Sequence, residues 1–205
     1  MRWLSENWHR VLAHAAALFP LLWLALDYLS NPESYTFNRT FMLHTGSAGL
    51  ILLVGSLACT PASRLFNWPR AVQIRRALGL YAFLHISLHL VAYAVWENGL
   101  DLELIWRDLG ERRAMSVGLV AFLALIPLAL TSTQGWQRRL GKRWKTLHRL
   151  VYLAAILSVL HFFWLDRDFI TEPVIYAVIV GALLALRLPW RRWALRRRVA
   201  AQKLE

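Results

Sequence analysis

Cysteine is nearly missing from this chain of 205 residues, and the single Cys59 excludes an internal disulfide and any multi-cysteine metal or iron–sulfur site. Charge is scarce as well, at 18% of residues, with only 12 acidic side chains against 24 Lys and Arg. No Gly-rich phosphate loop, catalytic triad or metalloprotease motif occurs, so hydrolysis and nucleotide turnover have no visible apparatus. No low-complexity tract, internal repeat or long hydrophilic stretch divides the sequence, which reads as one domain over residues 1–205.

What is abundant is apolar surface. Hydrophobic residues make up 58% of the chain, too many for an ordinary soluble domain of this size, so the bilayer is the expected solvent. Eleven tryptophans fit the same reading, because an indole is apolar with one polar edge and suits the two membrane interfaces. Trp3, Trp8, Trp68, Trp96, Trp106, Trp136, Trp144, Trp190 and Trp193 all lie near ends of apolar runs. Those runs are Val11 to Leu29, Phe41 to Thr60, Ala77 to Trp96, Met115 to Thr131, Leu147 to Leu165 and Val174 to Leu188. Each is near the length that crosses a hydrocarbon core, which predicts an all-α integral membrane bundle of six transmembrane helices. The last run is short and contains Arg187, whose head is expected to reach the interface while its stem stays in lipid.

A net charge of +12 raises the question of nucleic acid, and its distribution answers it. Nineteen of the 24 basic residues fall on one side of the alternating runs, in the two termini and the loops around residues 64–76 and 138–149. Ten of the 12 acids fall on the other side. This is the positive-inside pattern, placing both termini in the cytoplasm and leaving no basic groove for nucleic acid.

Ionisable groups inside a membrane are costly, so each is a functional candidate, and here they are almost all histidines. His14 lies on the first run, His44 on the second, His85 and His89 on the third, and His148 and His161 on the fifth. A lone intramembrane histidine more often just satisfies a hydrogen bond, but six on four helices favour a shared purpose. Neutral imidazole is the commonest axial ligand of haem iron, and two from facing helices make an electron-transfer centre. At about 1.5 Å of rise per residue, His44, His89 and His161 share the outer half of the membrane, while His14 and His148 lie near the cytoplasmic face. An outer haem would take two of His44, His89 and His161; an inner one would draw on His14, His148 and mid-membrane His85. His85 and His89 stand one turn apart on one face, so they read as neighbour and ligand, with His89 preferred. Arg75, Arg76 and Arg149 are the basic residues best placed to hold haem propionates or a flavin phosphate.

These residues resemble the MsrQ (YedZ) family, the haem-bearing membrane subunits of the bacterial periplasmic methionine sulfoxide reductase system. The resemblance runs through His14 and FPLLWL at 19–24, HTG at 44–46, RRALGLYAF at 75–83 and LHL at 88–90. It is most specific over 131–161, through TSTQ, LGKRW, LHRLVYLAAIL and His161. It implies a ferric-reductase-like bundle that carries haem b, one or two per chain, with FMN as a further cofactor of the family. It also implies electrons drawn from the quinone pool or a cytoplasmic flavin reductase and passed to a periplasmic molybdopterin-containing reductase, an MsrP-like partner. The residues that carry over as iron ligands are His89, His148 and His161. Relatives in the wider group have a second histidine on the third helix where this chain has Arg75, so the ligands of an inner haem are left undefined. The acidic outer loop from Glu97 to Glu111 is a docking candidate for the partner. Other readings are a quinol-oxidising cytochrome b serving another acceptor, a transporter or proton relay built on the histidines, and a plain membrane anchor.

Overall fold

The computed structural model describes residues 2–32, 34, 36–165 and 170–187, with the side chains of 2–6 left aside. Trp3, Trp190, Trp193 and the basic C-terminal cluster therefore lie outside the described side chains. Among the described residues there is no strand. The helices are α1 (Arg2–Ser30), α2 (Phe37–Leu65), α3 (Arg70–Ala92), α4 (Leu102–Glu111), α5 (Arg113–Leu130), α6 (Gln134–Leu140), α7 (Lys142–Leu147), α8 (Leu150–Leu165) and α9 (Thr171–Ala185). A π-helical turn, Tyr93–Glu97, prolongs α3.

Five of these segments are long and apolar enough to cross a membrane: Asn7–Ser30, Phe37–Leu65, Arg70–Glu97, Arg113–Leu130 and Lys142–Leu165. They cover the first five predicted runs except for Thr131, which caps the fourth, and the protein is a multi-pass membrane protein. The sixth run corresponds to α9, which has 15 residues, about 22 Å at 1.5 Å per residue and so shorter than a hydrocarbon core of about 30 Å. Many large apolar side chains stay exposed on the outside, among them Leu22, Leu26, Ile51, Val91, Leu123 and Val178. That is the expected surface where lipid replaces water.

Helices in lipid gain little from hydrophobic exclusion and associate through close packing of small residues. Ala17, Ala82, Ala154 and Ala155 are fully buried, and Leu53 and Leu57 fill the space between them. Two antiparallel pairs carry most of the packing, α2 with α3 and α5 with α8. At Gly49 an added Cβ would stand 2.6 Å from Ile86 Cγ1, so α2 and α3 meet at a distance only glycine permits there. Ser56 Oγ donates to the Arg75 carbonyl at 3.0 Å in the same interface. α1 is tied to α3 by three bridges. His9 Nε2 donates to Gln73 Oε1 at 2.9 Å, His14 Nδ1 meets Tyr81 Oη at 2.9 Å, and His85 Nε2 donates to the Ala17 carbonyl at 2.8 Å.

The predicted outer loop holds a helix. Asp101 caps α4, accepting from the amides of Glu103 and Leu104 at 2.8 and 3.2 Å, and so satisfies donors that a helix start leaves bare. Gly99 and Leu100 both take positive φ, 58° and 61°, to turn the chain into it. Tyr93 Oη donates to Asp108 at 2.8 Å, and Asp108 also pairs with Arg112 at 3.4 Å. Leu102 and Trp106, one turn apart on α4, are 79% and 78% exposed, an apolar stripe at the level where tryptophan meets lipid headgroups.

Candidate functional site

His89 on α3 and His161 on α8 face each other across the bundle. Their ring centroids are 6.2 Å apart and their planes stand at 82°. Metal–imidazole bonds of about 2 Å, with about 1.1 Å more from nitrogen to ring centre, put two opposed ligands of one iron about 6 to 6.5 Å apart between centroids. The observed spacing fits. Each Nδ1 is already engaged: that of His89 donates to the Met42 carbonyl at 2.8 Å and that of His161 to the Ala114 carbonyl at 2.7 Å. A backbone carbonyl on one ring nitrogen fixes the tautomer that leaves the other, Nε2, as a bare lone pair, which is how ligating histidines are normally held. Among the described residues no protein group bonds either Nε2, and no cluster of three or more His, Cys, Asp or Glu exists. Two imidazoles alone suit an iron whose other ligands come from a porphyrin.

The two half-sites follow one rule. Each histidine lies 47 residues after the carbonyl that holds it. Each carbonyl is followed four residues later by a glycine, Gly46 or Gly118, against the ring itself. An added Cβ would stand 2.9 Å from His89 Nδ1 at Gly46 and 2.6 Å from His161 Nδ1 at Gly118. Both glycines are therefore needed for close approach of helix backbone to imidazole. Thr45, fully buried, donates to the Phe41 and Met42 carbonyls at 2.7 and 3.1 Å and stiffens the α2 side of the arrangement.

Comparison with known proteins gives the family. The family model described as ferric reductase like transmembrane component matches residues 45–159. The protein-methionine-sulfoxide reductase heme-binding subunit MsrQ of Rhodospirillum rubrum is 43% identical over 180 residues, 87% of this chain and 86% of that protein. The subunit of the same name from Salmonella paratyphi B is 40% identical over 189 residues, 91% and 95% of the two chains. The chain belongs to the MsrQ family. No solved structure matches it.

Of the three histidines that the MsrQ resemblance implies as ligands, the structure brings together His89 and His161 and keeps His148 apart. His148 lies in the turn just before the other end of α8, 13 residues from His161. It stacks on Trp144 at 3.9 Å between centroids, and its Nε2 lies 3.1 Å from Thr131 Oγ1. The single hydroxyl proton of Thr131 goes to the Pro127 carbonyl at 2.6 Å, so His148 Nε2 is the donor in that pair. Trp144 Nε1 closes the group by donating to the Thr131 carbonyl at 2.9 Å.

The other candidates are dispersed. His14 faces outward beside Tyr81, and His44 stacks on Trp23 at 4.7 Å with its Nδ1 on the Thr40 carbonyl at 2.9 Å. Arg76 and Arg149 are exposed, while Arg75 is half-buried with Nη1 3.4 Å from Thr60 Oγ1. His85 is fully buried and committed to α1, as a neighbour of the pair. Sequence reasoning missed Gly46, Gly118 and the two carbonyls. The equal intervals were the signal available, a short repeat of spacing with too few identical residues to register as a repeat of sequence.

Proposed function

We propose that this protein is a haem b electron-transfer subunit whose iron is held between His89 and His161, with electrons passed to a periplasmic molybdopterin-containing methionine sulfoxide reductase. The observation that carries this reading is the opposed imidazole pair at 6.2 Å with both Nδ1 atoms held by carbonyls. Haem supplies a one-electron couple in the hydrocarbon layer. The chain's residues do the rest: Met42 and Ala114 fix the two rings, Gly46 and Gly118 admit them, and the buried α2–α3 and α5–α8 interfaces exclude water. The name of its relatives, protein-methionine-sulfoxide reductase heme-binding subunit, supports it.

The membrane is the bacterial inner membrane, with α9 as a sixth span and both termini cytoplasmic; the one-sided distribution of Lys and Arg supports that orientation. The His pair then lies in the outer half, toward the acceptor. The donor is the quinone pool or a cytoplasmic flavin reductase, with FMN as its carrier, and His148 is the candidate ligand for a second haem in the inner half.

The test is spectroscopic. Purified protein supplied with haem is expected to show a Soret band, and its reduced form to be reoxidised by the periplasmic reductase given methionine sulfoxide. A protein that stays colourless after haem addition would sink the electron-transfer reading and leave the histidines as a proton relay. Reoxidation by other acceptors but never by this partner would make it a quinol-oxidising cytochrome of another pathway.

A further inference from the structure

Arg187 does not extend to the interface as its position at a helix end predicts. It turns into the bundle, where Nη1 donates to Tyr152 Oη at 2.8 Å and Nη2 to the Leu57 carbonyl at 2.5 Å. Its guanidinium carbon stands 5.2 Å from the centre of the Tyr152 ring. Its Nε is buried and donates to nothing among the described residues. A second half-buried guanidinium, that of Arg75, reaches Thr60 on α2, three residues and about one turn from the Leu57 carbonyl that Arg187 holds. Arg75 has only the long 3.4 Å contact to Thr60 Oγ1 to occupy its five donors.

Two cations that reach the same turn of α2 call for an anion, and among the acids whose side chains are described none lies there. Those acids, at positions 27, 97, 101, 103, 108, 111 and 172, lie at the opposite ends of the alternating helices. The one ion pair among the described residues, Arg112 with Asp108, is at that far end. Thr60 on α2, Arg75 on α3, Tyr152 on α8 and Arg187 after α9 thus surround a place with surplus positive charge, an orphaned N–H and two hydroxyls. Planar guanidinium forks are the side chains best suited to bidentate recognition of oxyanions, and basic pockets between transmembrane helices take lipid headgroups.

We propose that Arg75 and Arg187 together form a phosphate-binding site, filled by the headgroup phosphate of an anionic lipid or by a soluble phosphate. A phosphate group is opposite in charge to the pair, and its anionic oxygens can accept from donors on different helices at once. Held there, it joins the end of α9 to α2, α3 and α8. The site is separate from the His89–His161 pair and does not depend on iron binding.

The experiment uses the full chain in a neutral detergent, in haem-free and haem-loaded forms, with thermal unfolding and native mass spectrometry as readouts. Probes are inorganic phosphate and short-chain phosphatidylglycerol, with short-chain diacylglycerol, which has no phosphate, as the reference. A saturating ligand that binds only the folded form is expected to raise the midpoint by roughly 3 to 6 °C. Arg75→Gln and Arg187→Gln are each expected to remove most of that shift, while Arg138→Gln, on exposed α6, retains it. If Arg187→Gln fails to fold for want of its ties to Leu57 and Tyr152, Arg75→Gln decides alone. A shift with phosphatidylglycerol and not phosphate assigns the site to lipid; a shift with phosphate as well assigns it to soluble phosphate. No shift with either probe, or an undiminished shift in Arg75→Gln, overturns the proposal. So does a shift abolished by haem loading together with haem release from Arg75→Gln, which would give the arginines to haem propionates. Failure of the haem reading itself would appear separately, as a missing Soret band with the phosphate shift intact.

Discussion

α3 and α8 each carry polar groups at both ends, and the two ends are treated differently. At one end His89 and His161 have Nδ1 bound and Nε2 bare, 6.2 Å apart between ring centres. At the other, His148 spends Nε2 on Thr131 and its ring face on Trp144, while Arg75 and Arg187 reach one turn of α2 with no acid among the described side chains. The first end has electron pairs with nothing to accept them. The second has proton donors with too few acceptors. A histidine in a membrane is thus not by itself a ligand: which nitrogen the surrounding backbone leaves unbonded decides what the ring can do.

The sharpest way to break this contrast is to delete the rings. His89→Ala and His161→Ala are each expected to lose most bound haem, read as Soret absorbance per protein, whereas His85→Ala keeps it. Full haem in both ligand variants would remove the distinction between the two ends. Next come the glycines. Gly118→Ala places a methyl 2.6 Å from His161 Nδ1, and Gly46→Ala one 2.9 Å from His89 Nδ1. Disturbing the support of a metal ligand typically costs 10- to 100-fold in affinity, so haem titration should show a loss on the order of 10- to 100-fold, larger for Gly118→Ala.

His148→Ala tests the other end. Its expected outcome is an unchanged spectrum for the haem between His89 and His161, and loss of that signal would mean that the ends are coupled. The smallest effect is expected from Tyr93→Phe, which removes the bond to Asp108 that pins α4 to the end of α3. A single buried hydrogen bond is worth about 1 kcal/mol, seen as a lower unfolding midpoint with haem content unchanged.

Much of this was legible from residue order alone. Apolar runs gave five spanning helices to within a few residues, because membrane thickness imposes a length that composition must meet. Depth along the helices placed His89 and His161 at one level, and the one-turn spacing of His85 and His89 identified His85 as a neighbour. Pairing across helices was not legible. The sequence contains Gly46 and Gly118, but nothing local says that a ring from another helix rests on each. α4 was hidden in a polar loop because its 10 residues are too few for a spanning pattern, although Asp101 before it is a capping residue. Arg187 was misplaced for a physical reason: a long basic side chain at a helix end has two ways to satisfy its head, and only the positions of Leu57 and Tyr152 choose the inward one.

The paired carbonyl and glycine supports also make the site a caliper. Its jaws are two helix hairpins, α2 with α3 and α5 with α8, and each imidazole is clamped within one jaw. A force that spreads the jaws would draw the two imidazoles apart, and with them their hold on a haem between them. Bilayer thickness, detergent or a docking partner could then alter haem binding without a change in any residue of the pair.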